Sequence, residues 1–265
     1  MTAARLRARL AACKALGRPA LVVYVTAGDP DAAQAVDVVA SVAAAGADVI
    51  ELGVPFSDPS ADGPAIQAAM ERALAAGGGL HQALGIVAAA RARGVTAPIV
   101  LFGYYNPLFV MGVDRFAAAA AEAGVDAVLT VDLPIDELDE LRLPLAAHEI
   151  GVIPLVAPTS TPERIARIRA IDPAFVYYIS LTGVTGATFD AARLRTGRID
   201  AIREATGAPV VVGFGIKTPD DVRAVAPLAD GVVVGSAIVD RVGAAPAGQA
   251  APAVGALVAE LRAAL

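Results

Sequence analysis

Glu51-Leu-Gly-Val-Pro-Phe-Ser-Asp-Pro-Ser-Ala-Asp-Gly-Pro-Ala-Ile-Gln67 joins three kinds of segment in one short stretch. An apolar run, 48–52, reads as a buried strand and carries Glu51 near its end. A loop rich in Pro and Gly follows, with two further carboxylates, Asp58 and Asp62. Residues 63–75 then read as a helix. An acid at the exit of a buried strand is costly unless it is paired or used. The plainer alternative is a helix-capping Asp beside a solvated loop acid.

The same strand–turn–helix unit recurs along the chain. Apolar runs over 20–26, 48–52, 99–103, 127–131, 152–157, 175–180, 209–213 and 231–234 read as eight strands. Between them, helices are predicted over 31–45, 63–75, 80–93, 114–123, 135–149, 162–170, 191–206 and 218–225. A last helix is predicted over 252–265, after a surface loop at 243–252. Unalternating apolar strands separated by helices indicate a parallel sheet covered on both faces. Eight such units predict an α/β fold closed as a (β/α)8 TIM barrel. The competing architecture is an open doubly wound sheet, but no Gly-x-Gly-x-x-Gly follows the first strand. No linker divides the chain, so residues 1–265 are expected to form one domain.

Composition narrows the function classes. The 265 residues carry a formal charge of -6, which argues against a nucleic-acid or anionic-membrane surface. Apolar residues make up 56% of the chain, enough for a sizeable core. The single cysteine, Cys13, excludes an intrachain disulfide, reads as a small buried hydrophobe and fits a reducing cytoplasm. Residues 1–17 alternate Arg with Ala and Leu and read as an amphipathic helix rather than a secretory signal. Residues 94–113 carry no charge, yet Pro98, Asn106, Pro107 and three glycines make them a strand plus a loop, not a membrane span.

In a barrel, the loops after the strands hold the active site. Three of them are glycine-rich: Ser180-Leu-Thr-Gly-Val-Thr-Gly186, Gly213-Phe-Gly-Ile-Lys-Thr218 and Gly235-Ser236. Glycine lets the backbone approach a ligand and present N–H donors, so together these loops could cradle a phosphate. Each glycine taken singly could equally serve only to turn the chain. Carboxylates on one side and such a cradle on the other fit acid–base chemistry on a phosphorylated substrate. A zinc aldolase needs clustered ligands, and the two histidines, His81 and His148, fall in predicted helices. A Schiff-base aldolase needs a barrel lysine; Lys14 is remote, and Lys217 reads more readily as a surface or phosphate-steering charge.

The chain resembles the tryptophan synthase alpha chain family over nearly its whole length. Besides the opening stretch, the resemblance rests on Tyr24-Val-Thr-Ala-Gly-Asp-Pro30, Tyr104-Tyr-Asn-Pro107, Asp132-Leu-Pro134, Gly183-Val-Thr-Gly186, Gly213-Phe-Gly-Ile216 and Gly235-Ser-Ala-Ile-Val239. It implies retro-aldol cleavage of indole-3-glycerol phosphate to indole and glyceraldehyde 3-phosphate. Glu51 and Asp62 match the family's two catalytic acids. Tyr177 matches a tyrosine beside the substrate, and Thr185 a lid residue that bonds the catalytic Asp. Gly186, Gly215, Gly235 and Ser236 match phosphate-binding positions, and Tyr24, Phe102, Ile66 and Phe214 would line the indole pocket. Pro55, Phe56, Asp58 and Asn106 match positions that meet a beta chain, which would hold the pyridoxal phosphate (PLP) in an alpha2beta2 complex. No cofactor is expected in this chain. Two departures stand out: Leu181 follows Ser180 where some members carry Arg, and Tyr24 stands where some carry Phe. A stand-alone lyase releasing free indole would carry the same motifs; a non-catalytic regulatory subunit is the third reading, and the presence of both Glu51 and Asp62 argues against it.

Overall fold

The computed structural model describes residues 2–179, 197–213 and 215–265. In chain order the elements are α1 (Ala4–Ala15), β1 (Ala20–Thr26), α2 (Ala32–Ala44), β2 (Val49–Gly53), α3 (Pro64–Ala75), α4 (Leu80–Ala92) and β3 (Ile99–Gly103). Then come α5 (Tyr105–Met111), α6 (Val113–Ala123), β4 (Ala127–Thr130), α7 (Asp139–Ala147), β5 (Gly151–Val152), β6 (Leu155–Val156) and α8 (Pro162–Ile168). The chain continues through β7 (Val176–Ile179), α9 (Arg198–Thr206), β8 (Val210–Gly213), α10 (Pro219–Val225), β9 (Gly231–Val234), α11 (Ser236–Ala244) and α12 (Ala250–Arg262).

The strands form one parallel sheet in the order β5-β4-β3-β2-β1-β9-β8-β7-β6. Its two edges, β5 and β6, are halves of the single predicted strand over 152–157, parted by Ile153 and Pro154. Proline has no N–H to give to a ladder, which explains the break. Backbone bonds still run across it: Ile153 N–H donates to Val128 O at 2.9 Å, and Tyr177 N–H to Pro154 O at 3.0 Å. The sheet therefore closes on itself as the expected barrel.

Both faces of every strand are covered. Leu21, Val23 and Val25 of β1 pack outward with Ala35, Val38 and Val42 of α2 in the large outer core. Ala20 and Val22 point inward with Val49, Val100, Leu129 and Val211. Leu6, Leu10 and Cys13 of α1 join this inner cluster, so the N-terminal helix plugs the barrel's lower end. Burial of Cys13, followed by the charge of Asp48, pushes its thiol up to about 11, leaving it a packing residue.

Three sequence expectations are corrected. The loop expected after β3 is the short helix α5. Pro107 is tolerated in its first turn, and the Asp132 carboxylate accepts the Tyr105 N–H at 2.8 Å. Residues 236–244 form α11, where the sequence assigns only Gly235-Ser236 to a loop and 237–242 to no element, and the expected loop at 243–252 shrinks because α12 begins at Ala250. The helix predicted from 135 begins at Asp139. No single described helix is long and apolar enough to cross a membrane; α3 and α4 pass only as a pair bent by 92°.

Candidate active site

A cavity of about 610 Å³ opens at the C-terminal ends of the strands. β2 brings Glu51 into it, in register with Tyr24 of β1 and Val100 of β3. Two residues further on, Gly53 lies between Thr26 and Phe102. A Cβ at Gly53 would sit 2.0 Å from the Tyr24 hydroxyl, so only glycine leaves room for that phenol. Gly213, at the end of β8, makes the same space for the Tyr177 hydroxyl. Phe102 meets Tyr24 edge-on at 5.5 Å and faces Tyr177 at 6.3 Å, giving the cavity an aromatic wall. Ile66, on the first turn of α3, adds an apolar contact.

Glu51 is 1% exposed, and neither of its carboxyl oxygens has a hydrogen-bond partner among the described residues. Burial pushes its carboxyl up to about 8, so it holds its proton at neutral pH. A buried carboxyl left without partners costs stability, which marks it as a group kept for chemistry.

Asp62 does not cap α3; the cap position is Gly63, and no side chain bonds there. Its Oδ2 instead accepts the Tyr104 hydroxyl proton at 2.7 Å. Burial raises the Asp62 carboxyl above its ordinary value, and the Tyr104 bond partly opposes that rise. The loop behind it is fixed by Gln67, whose Nε2 donates to the Asp62 carbonyl at 2.8 Å and to the Pro59 carbonyl at 3.3 Å. Sequence reasoning quoted Tyr104 and Gln67 inside motifs but gave neither a role. Their partners are set by loop packing, and no local pattern announces them.

Gly215, Gly235 and Ser236, with Lys217, line the same cavity, and Gly235 lies against Tyr24 and Ile66. Gly215 holds a φ of +79°, which favours glycine. Gly235 caps α11, whose first N–H groups have no partner within the helix. Such a helix start favours an anion. Lys217 is the one basic side chain among the described residues lining the cavity. Its backbone N–H donates to the Asp221 carboxylate at 3.0 Å, beside the capping box that Asp221 makes with Thr218 at the start of α10. Among the described residues no three His, Cys, Asp or Glu side chains cluster as metal ligands. Thr185, Gly186 and Phe214, together with Leu181, lie outside the described residues.

The positions matched to a partner surface divide. Asp58 and Asn106 are exposed. Pro55 is buried, and Phe56 is half-buried because it stacks on the Tyr104 ring at 4.9 Å. Pro55 and Phe56 therefore do not form an exposed apolar pair. Exposed apolar surface is instead supplied by Phe109 and Val110 of α5, 60% and 76% exposed.

Comparison with known proteins agrees along the length of the chain. The tryptophan synthase alpha chain of Burkholderia pseudomallei (strain 1106a) is 49% identical over 261 residues, covering 98% of this chain and 96% of the relative. That of Geobacter sulfurreducens is 52% identical over 235 residues, 89% of each chain. The crystal structure of tryptophan synthase subunit alpha from Legionella pneumophila str. Paris superposes with a TM-score of 0.91 at 37% identity, over 100% of this chain and 98% of that one. A Mycobacterium tuberculosis tryptophan synthase structure gives 0.87 at 36%, over 98% and 97%. The family described as tryptophan synthase alpha chain matches residues 10–264, and this chain belongs to it.

Proposed function

We propose that this chain splits indole-3-glycerol phosphate into indole and glyceraldehyde 3-phosphate, with Glu51 moving the protons and Asp62 holding the charge. The observation that carries the reading is the buried Glu51, without a partner among the described residues, in one cavity with the glycine backbone of Gly215 and Gly235 and a helix start.

The chemistry needs two acids of different character. An indole carbanion is a poor leaving group, so ring C3 is protonated first. That step places positive charge on the ring nitrogen, and an ionised Asp62 bonded to the N–H stabilises it. A base then takes the proton of the glycerol hydroxyl next to the scissile bond. The C–C bond breaks, its electrons return to the ring, and the aldehyde forms. One proton is delivered and one removed. A protonated Glu51 suits the delivery, and its carboxylate suits the removal. The rings of Tyr24, Phe102 and Tyr177, with Ile66, receive the indole; Gly215, Gly235 and Ser236 receive the phosphate. Thr185, Gly186 and Phe214 join this proposal as lid, phosphate and pocket positions.

The family implies a beta chain as partner, and we assign the alpha2beta2 complex, with PLP in the beta chain, to the same proposal. The exposed Asp58, Asn106, Phe109 and Val110 support a docking face near the cavity mouth. One domain over 1–265, working in the cytoplasm, completes the reading. The test is indole release by the purified chain, with and without a beta chain. Slow release that rises strongly with the partner is expected. Fast release by the chain alone indicates a stand-alone lyase, and no release in either case refutes the proposal.

A further inference from the structure

We infer that Tyr104 is a positioning residue for Asp62: its hydroxyl fixes which carboxylate oxygen meets the substrate and favours the ionised state. This rests on the function proposed above.

Tyr104 is 4% exposed at the end of β3. Its hydroxyl has one proton to give, and its neighbours dictate where that proton goes. The Ala61 N–H points at the same oxygen from 2.9 Å, and an N–H can only donate. With one lone pair taken by Ala61, the phenol directs its proton at Asp62 Oδ2, at 2.7 Å. A donating hydroxyl stabilises a carboxylate and not a protonated acid. The bond also divides the two oxygens. Oδ2 is occupied, while no described residue bonds Oδ1, which is left for a ring N–H. The Phe56 ring stacked at 4.9 Å and 28° restricts the phenol from the other side. One tyrosine thus joins the acid to the loop residue that precedes it.

Other charged and titratable groups also face Asp62. Tyr24 and Tyr177 feel its charge, Glu51 lies within reach of both tyrosines, and Lys217 and Asp240 line the same cavity. Only Tyr104 among them donates a hydrogen bond to Asp62. A change at Tyr104 should therefore act on the acid limb, where Asp62 must lose its proton, and leave the Glu51 limb in place.

The test is the pH profile of indole release from indole-3-glycerol phosphate by Tyr104→Phe, measured beside the wild-type chain. Loss of a hydrogen bond to a charged group predicts a fall of about 10- to 100-fold near pH 6. The acid limb should move to higher pH, and activity should recover as pH rises, with KM changed less than about 3-fold. A 3-fluorotyrosine placed at position 104 keeps the shape, donates more strongly and should move the limb the other way, so the inference is testable even if the Phe variant folds poorly. An unmoved limb overturns it, whether activity is retained or lost equally at every pH. If the wild-type chain itself releases no indole, the proposed function falls as well; an active wild type with an unmoved limb removes this inference alone.

Discussion

Asp48 and Glu51 sit three residues apart, one just before β2 and one within it, and are 2% and 1% exposed. Asp48 is saturated. Arg18 grips it at 2.7 and 3.0 Å, the Leu21 N–H donates at 2.9 Å, and Arg262 adds a contact at 3.2 Å. Burial pushes its carboxyl up, but the Arg18 and Leu21 bonds outweigh that and hold it below the ordinary range. Glu51 has none of these partners and rises to about 8. Equal burial with opposite surroundings gives opposite charge states at neutral pH.

The contrast extends around the barrel. At the lower end Asp126 accepts the Ile99 N–H at 2.8 Å and pairs with Arg5 and Arg91. Asp230 accepts the Val210 N–H at 2.8 Å and pairs with Arg203. Three times an Asp ties the start of one strand to its neighbour while Arg neutralises it. At the upper end Asp29 is likewise paired, with Arg72 at 2.8 Å, but Glu51 has no partner among the described residues and Asp62 has no cation, only the Tyr104 hydroxyl. In this fold, chemistry at the top and stability at the bottom is the usual division, and here it shows in the partners of individual carboxylates.

The largest expected effect comes from Glu51→Gln, which should lower indole release at least about 10³-fold. It should also raise stability. Glu51 keeps its proton in the folded chain to about pH 8 but loses it near 4.5 when unfolded. Folding stability therefore drains away as pH rises from 4.5 to 8, by roughly 3–5 kcal/mol, and a neutral amide escapes that loss. Denaturant titration at pH 5 and pH 8 checks it; a variant no more stable than wild type at pH 8 breaks the comparison.

At the other end of the strand, Asp48→Asn should leave Arg18 buried beside a neutral group and cost about 3–5 kcal/mol of stability. Activity per folded molecule should stay within about 3-fold of wild type. A loss of catalysis without loss of stability would erase the distinction between the two ends.

Much of this was legible in the chain. Eight apolar runs separated by helices read directly as the barrel, since strands buried on both faces need no alternation. Glu51 stood out because an acid in such a run is expensive. The break at Pro154 was missed because the flanking residues are apolar on both sides. Helix α5 was missed because seven residues with an internal proline show no helical period. The partner of Asp62 could not be read, because Tyr104 lies 42 residues away, between β3 and α5.

Smaller effects sharpen the upper end. Gly53→Ala drives a Cβ against the Tyr24 hydroxyl and should cost about 1–3 kcal/mol. Tyr24→Phe in the same chain removes the oxygen but leaves ring carbons 2.5 and 2.8 Å from the added Cβ, so thermal unfolding of the double variant should show only part of the loss recovered. Lys217→Ala should raise KM for indole-3-glycerol phosphate a few-fold, about 2- to 5-fold, and leave kcat unchanged, because it removes one exposed charge beside a cradle made of backbone. A fall in kcat instead would move Lys217 from the phosphate side to the chemistry.

The most direct measurement is the titration of Glu51 itself, by infrared difference between the wild-type chain and Glu51→Gln across pH 4 to 10. The account predicts a protonated-carboxyl band at pH 6 that disappears with a midpoint near 8. A midpoint near the ordinary 4.5 would mean that Glu51 is ionised in the working enzyme, and the division between the two ends of the barrel would fail at its central residue.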